Sequence, residues 1–374
     1  MMDCTKKNGN GTTLLACGIA LLAAGVVQAQ QTIYVGGGSG LPSIPAAIAV
    51  AQPGDVVVVR QGVWPANFAV DKGITLIGED AVLTRGSFGL WRIDITNVPA
   101  GQAFVLRGFD TDAAAASDLD IVIADCAGRV SLQELGMNGL IAWRVGATNV
   151  AQLHVGGLVS RSFGAVDCSS VIERLIHDPG LLGVSIVRGR ASFDSCSLNG
   201  PSSGLVAPAL SLQDAQVAVS RCTLMAPSPF APVIIAQSGV LLLDPSASLL
   251  PSPGQTLITG GAAVATLELS TLTTHMDDQD LTINNQGRAG ELFVTVLALP
   301  GPQLATPLGV TWLDPTALSI VAFGTFGASR QQVDTINFAG LPVVPQGLTV
   351  ALQSIVFGPG GHIGLGSPSL VTRS

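Results

Sequence analysis

Three groups of side chains in this sequence have the types and spacing for chemistry. Asp110, Asp112, Asp118 and Asp120 bracket Ala113 to Ala116 in one short segment. An oxygen-rich loop of this kind can hold Ca²⁺, which takes six to eight oxygen ligands. The simpler reading, which we prefer, is a solvated loop. Asp125, Asn149, Asp167, Ser195 and Arg221 form the second group, because each stands just before one position of a repeat. On successive coils they would project outward at intervals of about 5 Å. Paired carboxylates ~5–9 Å apart can hydrolyse a glycosidic bond. Asp125 and Asp167, with Arg221 in the same strip, are therefore the catalytic candidates; a plain ladder of surface polar residues explains the column equally well. His154, His177 and Asp178 form the third group, a set of acid/base types whose repeat phases differ, which argues against a shared site. A further acidic set, Asp277, Asp278 and Asp280, reads as a polar linker.

The elements that would position these groups follow from the repeat. Four segments share the spacing apolar-x-apolar-x-x-Cys: Ile121/Ile123/Cys126, Phe163/Ala165/Cys168, Ala191/Phe193/Cys196 and Val217/Val219/Cys222. Val145/Ala147/Val150 fits the same frame with Val in place of Cys. Leu210/Leu212 and Val217/Val219 return as Val233/Ile235 and Val240/Leu242. A period of roughly 18–28 residues with short apolar triplets is the mark of a solenoid, whose coils bury their inward residues only by stacking. The expectation is one inward ladder holding Cys126, Cys168, Cys196 and Cys222 as free thiols, with Cys196 and Cys222 on adjacent coils.

Residues 33–79 carry the most specific pattern. Ser43 is a helix N-cap candidate before the apolar face Ile44, Ala47, Ile48 and Ala51. Pro53-Gly54-Asp55 then stops the helix, and Val56 to Val59 reads as a strand buried on both faces. This stretch, with Gly62, Trp64 and the run Lys72-Gly73-Ile74-Thr75-Leu76-Ile77-Gly78-Glu79, resembles the opening of the pectin-lyase-like right-handed parallel β-helix superfamily. The resemblance implies a helix-capped β-helix and covers only the cap. Superfamily chemistry finds no match: the Asp-Asp of Asp277-Asp278 and the Gly361-His362 pair lack the Arg-x-Lys of polygalacturonases, and the motifs of the methylesterases do not occur in order. A pectate-lyase-type basic residue over calcium-binding Asp is also missing, since Lys72 lies in the cap region.

Composition sets the class. Only 11% of the 374 residues are charged, while Gly (45) and Pro (22) are frequent, which suits an exported all-β protein and disfavours a helical bundle. Residues 1–29 read as a secretory signal: Lys6 and Lys7, an apolar run from Leu14 to Val27, and a cleavage site at Val27-Gln28-Ala29. Leu14-Leu15-Ala16-Cys17 offers the competing reading of a lipidated Cys17. Removal of residues 1–29 leaves 15 Lys and Arg against 24 Asp and Glu. That acidic balance, without basic clusters, argues against nucleic acid and anionic polysaccharide as partners. No later run reaches the ~18 apolar residues of a membrane-spanning helix.

The expectation is an all-β chain: signal peptide 1–29, a right-handed parallel β-helix over 30–278, and a β-sandwich-like domain over 279–374. The last part has longer strands between Pro- and Gly-rich turns, and Pro345, Gly347, Leu348, Val350 and Gln353 resemble a strand in the C-terminal modules of exported bacterial proteins. The expected function is structural or surface-binding at the cell exterior, periplasm or cell surface, with an extracellular glycan or cell-envelope component as partner. The alternative is a polysaccharide-active glycosidase or lyase. No cofactor is expected beyond the Ca²⁺ option.

Overall fold

The computed structural model describes residues 30–84, 91–111, 119–136, 143–177, 183–201, 207–226, 228, 230–266, 271–276, 280–306, 308–316, 318–337, 345–358 and 361–373. Residues 1–29, read above as a secretory signal, and Asp112, Asp118, Asp178, Asp277 and Asp278 lie outside these residues. The described chain forms two compact units, Gln30–Glu268 and Leu269–Ser374.

The first unit is a parallel β-solenoid of about 8 turns. Its interior is a set of continuous ladders. One runs Val57, Leu76, Leu106, Leu132, Val155, Ile172, Phe193, Val219 and Leu243, each directly over the last. Strict alternation sends every second residue outward, so each ladder has an outward counterpart. The short helix Ile44–Val50 covers the first coil with Ile44, Ala47 and Ile48 buried. The Ser43 side chain accepts from the Ala46 N–H at 3.2 Å, and Lys72 Nζ donates to the Ile48 and Ala51 carbonyls at the other end. The single lysine outside residues 1–29 is thus a helix C-cap. Asp55 ties the entrance together by accepting from the backbone N–H of Gln31 (3.0 Å) and Gln52 (2.7 Å).

Solenoid corners are made by single residues in the left-handed region. One corner stacks Asn97, Asp125 and Asn149, then Asp167, Arg188 and Asp214, with φ between 46° and 57°. A second stacks Glu134, Gly157, Arg174, Ser195 and Arg221, also at positive φ. The spacing apolar-x-apolar-x-x-Cys is the imprint of this bend: two inward residues, a left-handed residue that turns the chain, then an inward residue. Asn and Asp tolerate that conformation best and fill the first corner at every level but Arg188; Glu134, Arg174, Ser195 and Arg221 at the second are the costlier choices.

The cysteines consequently occupy two ladders, where the sequence suggested one. The Cys126 thiol lies against the backbone of Val98, and that of Cys168 against Val150, at the first corner. Cys196 and Cys222 stack at the second, with the Cys196 N–H 3.3 Å from Cys222 Sγ. All four are buried and free. Each thiol donates to the carbonyl two residues before it, at Ala124 (3.3 Å), Val166 (3.1 Å), Asp194 (3.2 Å) and Ser220 (3.0 Å). Burial pushes the thiols of Cys126, Cys168 and Cys196 above their usual range, so they stay protonated and slow to react. Thiol titration of the denatured, unreduced chain from Gln30 onward is expected to count four; a count of two would show that Cys196 and Cys222 are oxidised together.

The second unit is antiparallel. Thr271–Met276 pairs with Asp280–Gln286, which pairs with Gln331–Asn337. This pairing puts the boundary near residue 268, ahead of the 278 suggested by the end of the repeat, since His275 lies in the first antiparallel strand. A five-stranded sheet centres on Leu292–Ala298 and Thr349–Phe357, and Pro300–Thr306 forms a hairpin with Gly309–Leu313. Leu272, Leu281, Ile283 and Ile336 of the three-stranded sheet share a core with Leu297, Val350, Leu352 and Val371 of the larger one.

Candidate functional site

The three catalytic candidates do not share a strip. Asp125 and Asp167 stand at the first corner, and Arg221 stands at the second. Asp125 accepts from Asn149 Nδ2 at 2.9 Å. Asp167 holds Arg188 in a bidentate pair, at 3.0 Å to Nε and 2.8 Å to Nη2. The Arg188 hydrogen bond keeps the Asp167 carboxyl below its usual range, which favours the ionised form over the protonated one that a general acid needs. Both carboxylates are on the open surface, and each is committed to a neighbour on the same ladder.

Of the calcium candidates, Asp120 lies within the described residues and forms a bidentate pair with Arg144, at 2.6 and 2.9 Å. Asp110 lies beside Val82, one residue before its strand Ala103–Thr111 ends. Among the described residues no three His, Cys, Asp or Glu side chains converge on a common point for a metal. The histidines are separated by the wall of the solenoid. His177 follows Leu175 on the inward side and meets Ser160 Oγ at 3.2 Å through Nδ1. His154 alternates with the inward Leu153 and Val155 and points outward.

That outward face holds a group of residues that the sequence did not single out. The column beside the inward ladder runs Val58, Ile77, Arg107, Gln133, Gly156, Glu173, Asp194 and Ser220. Its polar members face outward yet are buried: Glu173 is 1% exposed and Asp194 2%. Arg221 reaches back from the corner to pair with both carboxylate oxygens of Asp194, with Nε at 2.8 Å from Oδ1. Burial pushes the Asp194 carboxyl above its usual range against the opposing pull of Arg221. Arg174 pairs with Glu134 at 2.6 Å across an intervening coil. The residue between them is Gly157, where a Cβ would come within 3.0 Å of Glu134 Oε2.

His154 completes the seam. Its ring leans over Gly156, where a Cβ would lie 2.9 Å from Cε1. Nδ1 is 2.8 Å from Ser131 Oγ, which also accepts from Gln133 Nε2 at 2.7 Å. Burial lowers the imidazole to about 3, with the Arg174 and Arg129 charges acting in the same sense. The ring is neutral at any pH near 7. One signal for this seam was present in the sequence: Asp194 stands two residues before Cys196, and Glu173 occupies the same phase one coil earlier. It became visible only with the register, since the Glu173 coil has Leu175 where the next coil has Cys196 and carries its own Cys168 at the other corner.

The opposite character appears on another face. Val122 stacks on Gly146, and Gly164, Ser185, Ser211, Ile235 and Thr259 continue in register on later coils. A Cβ at Gly146 or Gly164 would meet nothing within 4 Å, so the strip is flat and open. Large exposed aromatic side chains on the described solenoid are few: Tyr34, which packs under Arg60, and Phe230. A cleft of about 360 Å³ beside the first coil, lined by Gln31, Thr32, Tyr34, Leu41 and Val50, contains no carboxylate. Among the described residues no helix is long and apolar enough to cross a membrane. No family model matches the chain, and no curated protein is significantly similar to it.

Proposed function

We propose that this protein is a non-enzymatic, exported right-handed β-helix of the pectin-lyase-like type, acting as a structural element or a binding surface at the cell exterior. The observation that carries this reading is the state of its acids. Asp120, Asp125 and Asp167 are tied to Arg144, Asn149 and Arg188, and Glu173 and Asp194 are shut from solvent. A glycan-cleaving site needs an accessible acid/base pair and aromatic platforms. The flat strip through Gly146, Gly164, Ser185 and Ser211 suits extended contact with an extracellular glycan or cell-envelope component.

The second reading, a polysaccharide-active enzyme, is favoured by one feature. Glu173 and Asp194 sit on adjacent coils beside Arg221, a spacing near that of hydrolytic carboxylate pairs. A glycan array run with a reducing-sugar assay on the mature protein separates the two. Binding without release of reducing ends is expected. Release that disappears in Glu173→Gln or Asp194→Asn would replace the first reading with the second.

A further inference from the structure

We infer that the outer face of the C-terminal five-stranded sheet is a self-association surface that takes a second copy of this chain. The sheet has two unlike faces. Phe293, Ala322 and Val356 point to one side and are buried together with Phe326. The alternate residues point to the other, and pairing makes them neighbours. Leu292 lies between Thr325 and Phe357, and Val294 between Phe323 and Ile355. Ile363 and Leu365 extend the same face beyond Phe357 and Ile355. None of these side chains is charged.

Most of this face is open. Phe323 is 71% exposed, Ile320 60%, Leu292 45%, Ile363 42% and Phe357 38%. The hairpin Pro300–Thr306/Gly309–Leu313 covers one end, where Gln353 Nε2 donates to the Val310 carbonyl at 2.7 Å and Val296 is buried. With large apolar side chains offering on the order of 200 Å² each, the five exposed residues present about 500 Å². A patch of that size on a protein is commonly an interaction site. Two such faces together bury about 1,000 Å², the threshold for a specific interface, before any rim is counted.

A second copy is the occupant that this chemistry fits. An isologous dimer needs a patch complementary to itself, and an uncharged apolar sheet face meets that condition without matched charges. Sheets packed face to face are also a standard geometry, about 10 Å apart. Edge-to-edge pairing is disfavoured instead. The exposed edge strand Ser319–Thr325 carries a bulge opposite Thr295/Val296, which interrupts the unpaired backbone row.

Sedimentation velocity on the full mature chain, over a series from low to high micromolar concentration, tests this. The expected result is a monomer–dimer equilibrium in the micromolar range. Phe323→Glu and Ile320→Lys should each weaken it about 30-fold or more. Because both residues are mostly exposed, the variants should keep the wild-type circular dichroism and Tm. A chain that stays monomeric throughout, its face covered within the same molecule or bare, overturns the proposal. So does a dimer that both variants leave intact.

Discussion

Arg221→Met is expected to destabilise the solenoid by about 3–5 kcal/mol, the cost of leaving a buried charge without its partner. Asp194 has a side chain only 2% exposed, and Arg221 is 12% exposed, so solvent cannot replace the lost guanidinium. Glu173 lies one coil away on the same column and adds like charge to the uncompensated site. The double variant Asp194→Asn/Arg221→Met should recover most of the loss, because a neutral pair of similar volume removes the buried charge as well. Urea unfolding followed by two spectroscopic probes would measure both, since a stacked array can depart from two-state behaviour. A loss below ~1 kcal/mol for the single variant would place the pair in solvent.

Acid should destabilise the protein from pH ~6.5 downward through His154, before its exposed carboxylates titrate. Its imidazole is held at about 3 in the folded chain, against about 6.5 when unfolded. Below pH ~6.5 the unfolded chain therefore binds a proton that the folded chain refuses, and stability falls as pH falls. The contribution is complete above pH ~6.5 and declines by up to ~1.4 kcal/mol per pH unit, reaching ~2–3 kcal/mol near pH 4.5. Groups facing the ring include Ser131, Gln133, Arg129, Arg174 and Glu134; the two guanidinium charges oppose protonation and Glu134 favours it only weakly. His154→Gln should flatten the stability profile between pH 6.5 and 4.5, whatever its effect at pH 7. Equal slopes in the variant and the wild type would show that the ring reaches solvent. Asp167, whose carboxyl is held low, adds its own loss only in stronger acid and is common to both proteins.

The parallel solenoid and its helix cap were legible because both are local patterns. Ser43, the apolar face of Ile44 to Val50 and the stop at Pro53-Gly54 specify the cap within one short segment, and the structure keeps it. Alternation around each Cys specifies which residues point inward, and Ile121, Ile123 and Cys126 are all buried. The candidate site was not legible in the same way. Asp125, Asp167 and Arg221 were grouped by their distance from a Cys, yet that distance measures only the length from a left-handed bend to the next inward residue. The solenoid makes this bend at two corners, so one sequence spacing describes two places on the surface.

Two demands on each coil can be read from the residues alone: bury alternate side chains, and stack on its neighbours; the left-handed turn at each corner came from the folded backbone. Those two are demands of backbone geometry and of hydrophobic burial, both felt within a single coil. Tertiary structure alone decided which corner each bend became, because the loops between strands differ in length and set how many residues separate equivalent corners. It also decided that Glu173, Asp194 and His154 are buried although they face outward. Alternation tells which wall of the coil a side chain leaves by; solvent access beyond that wall depends on the folded whole.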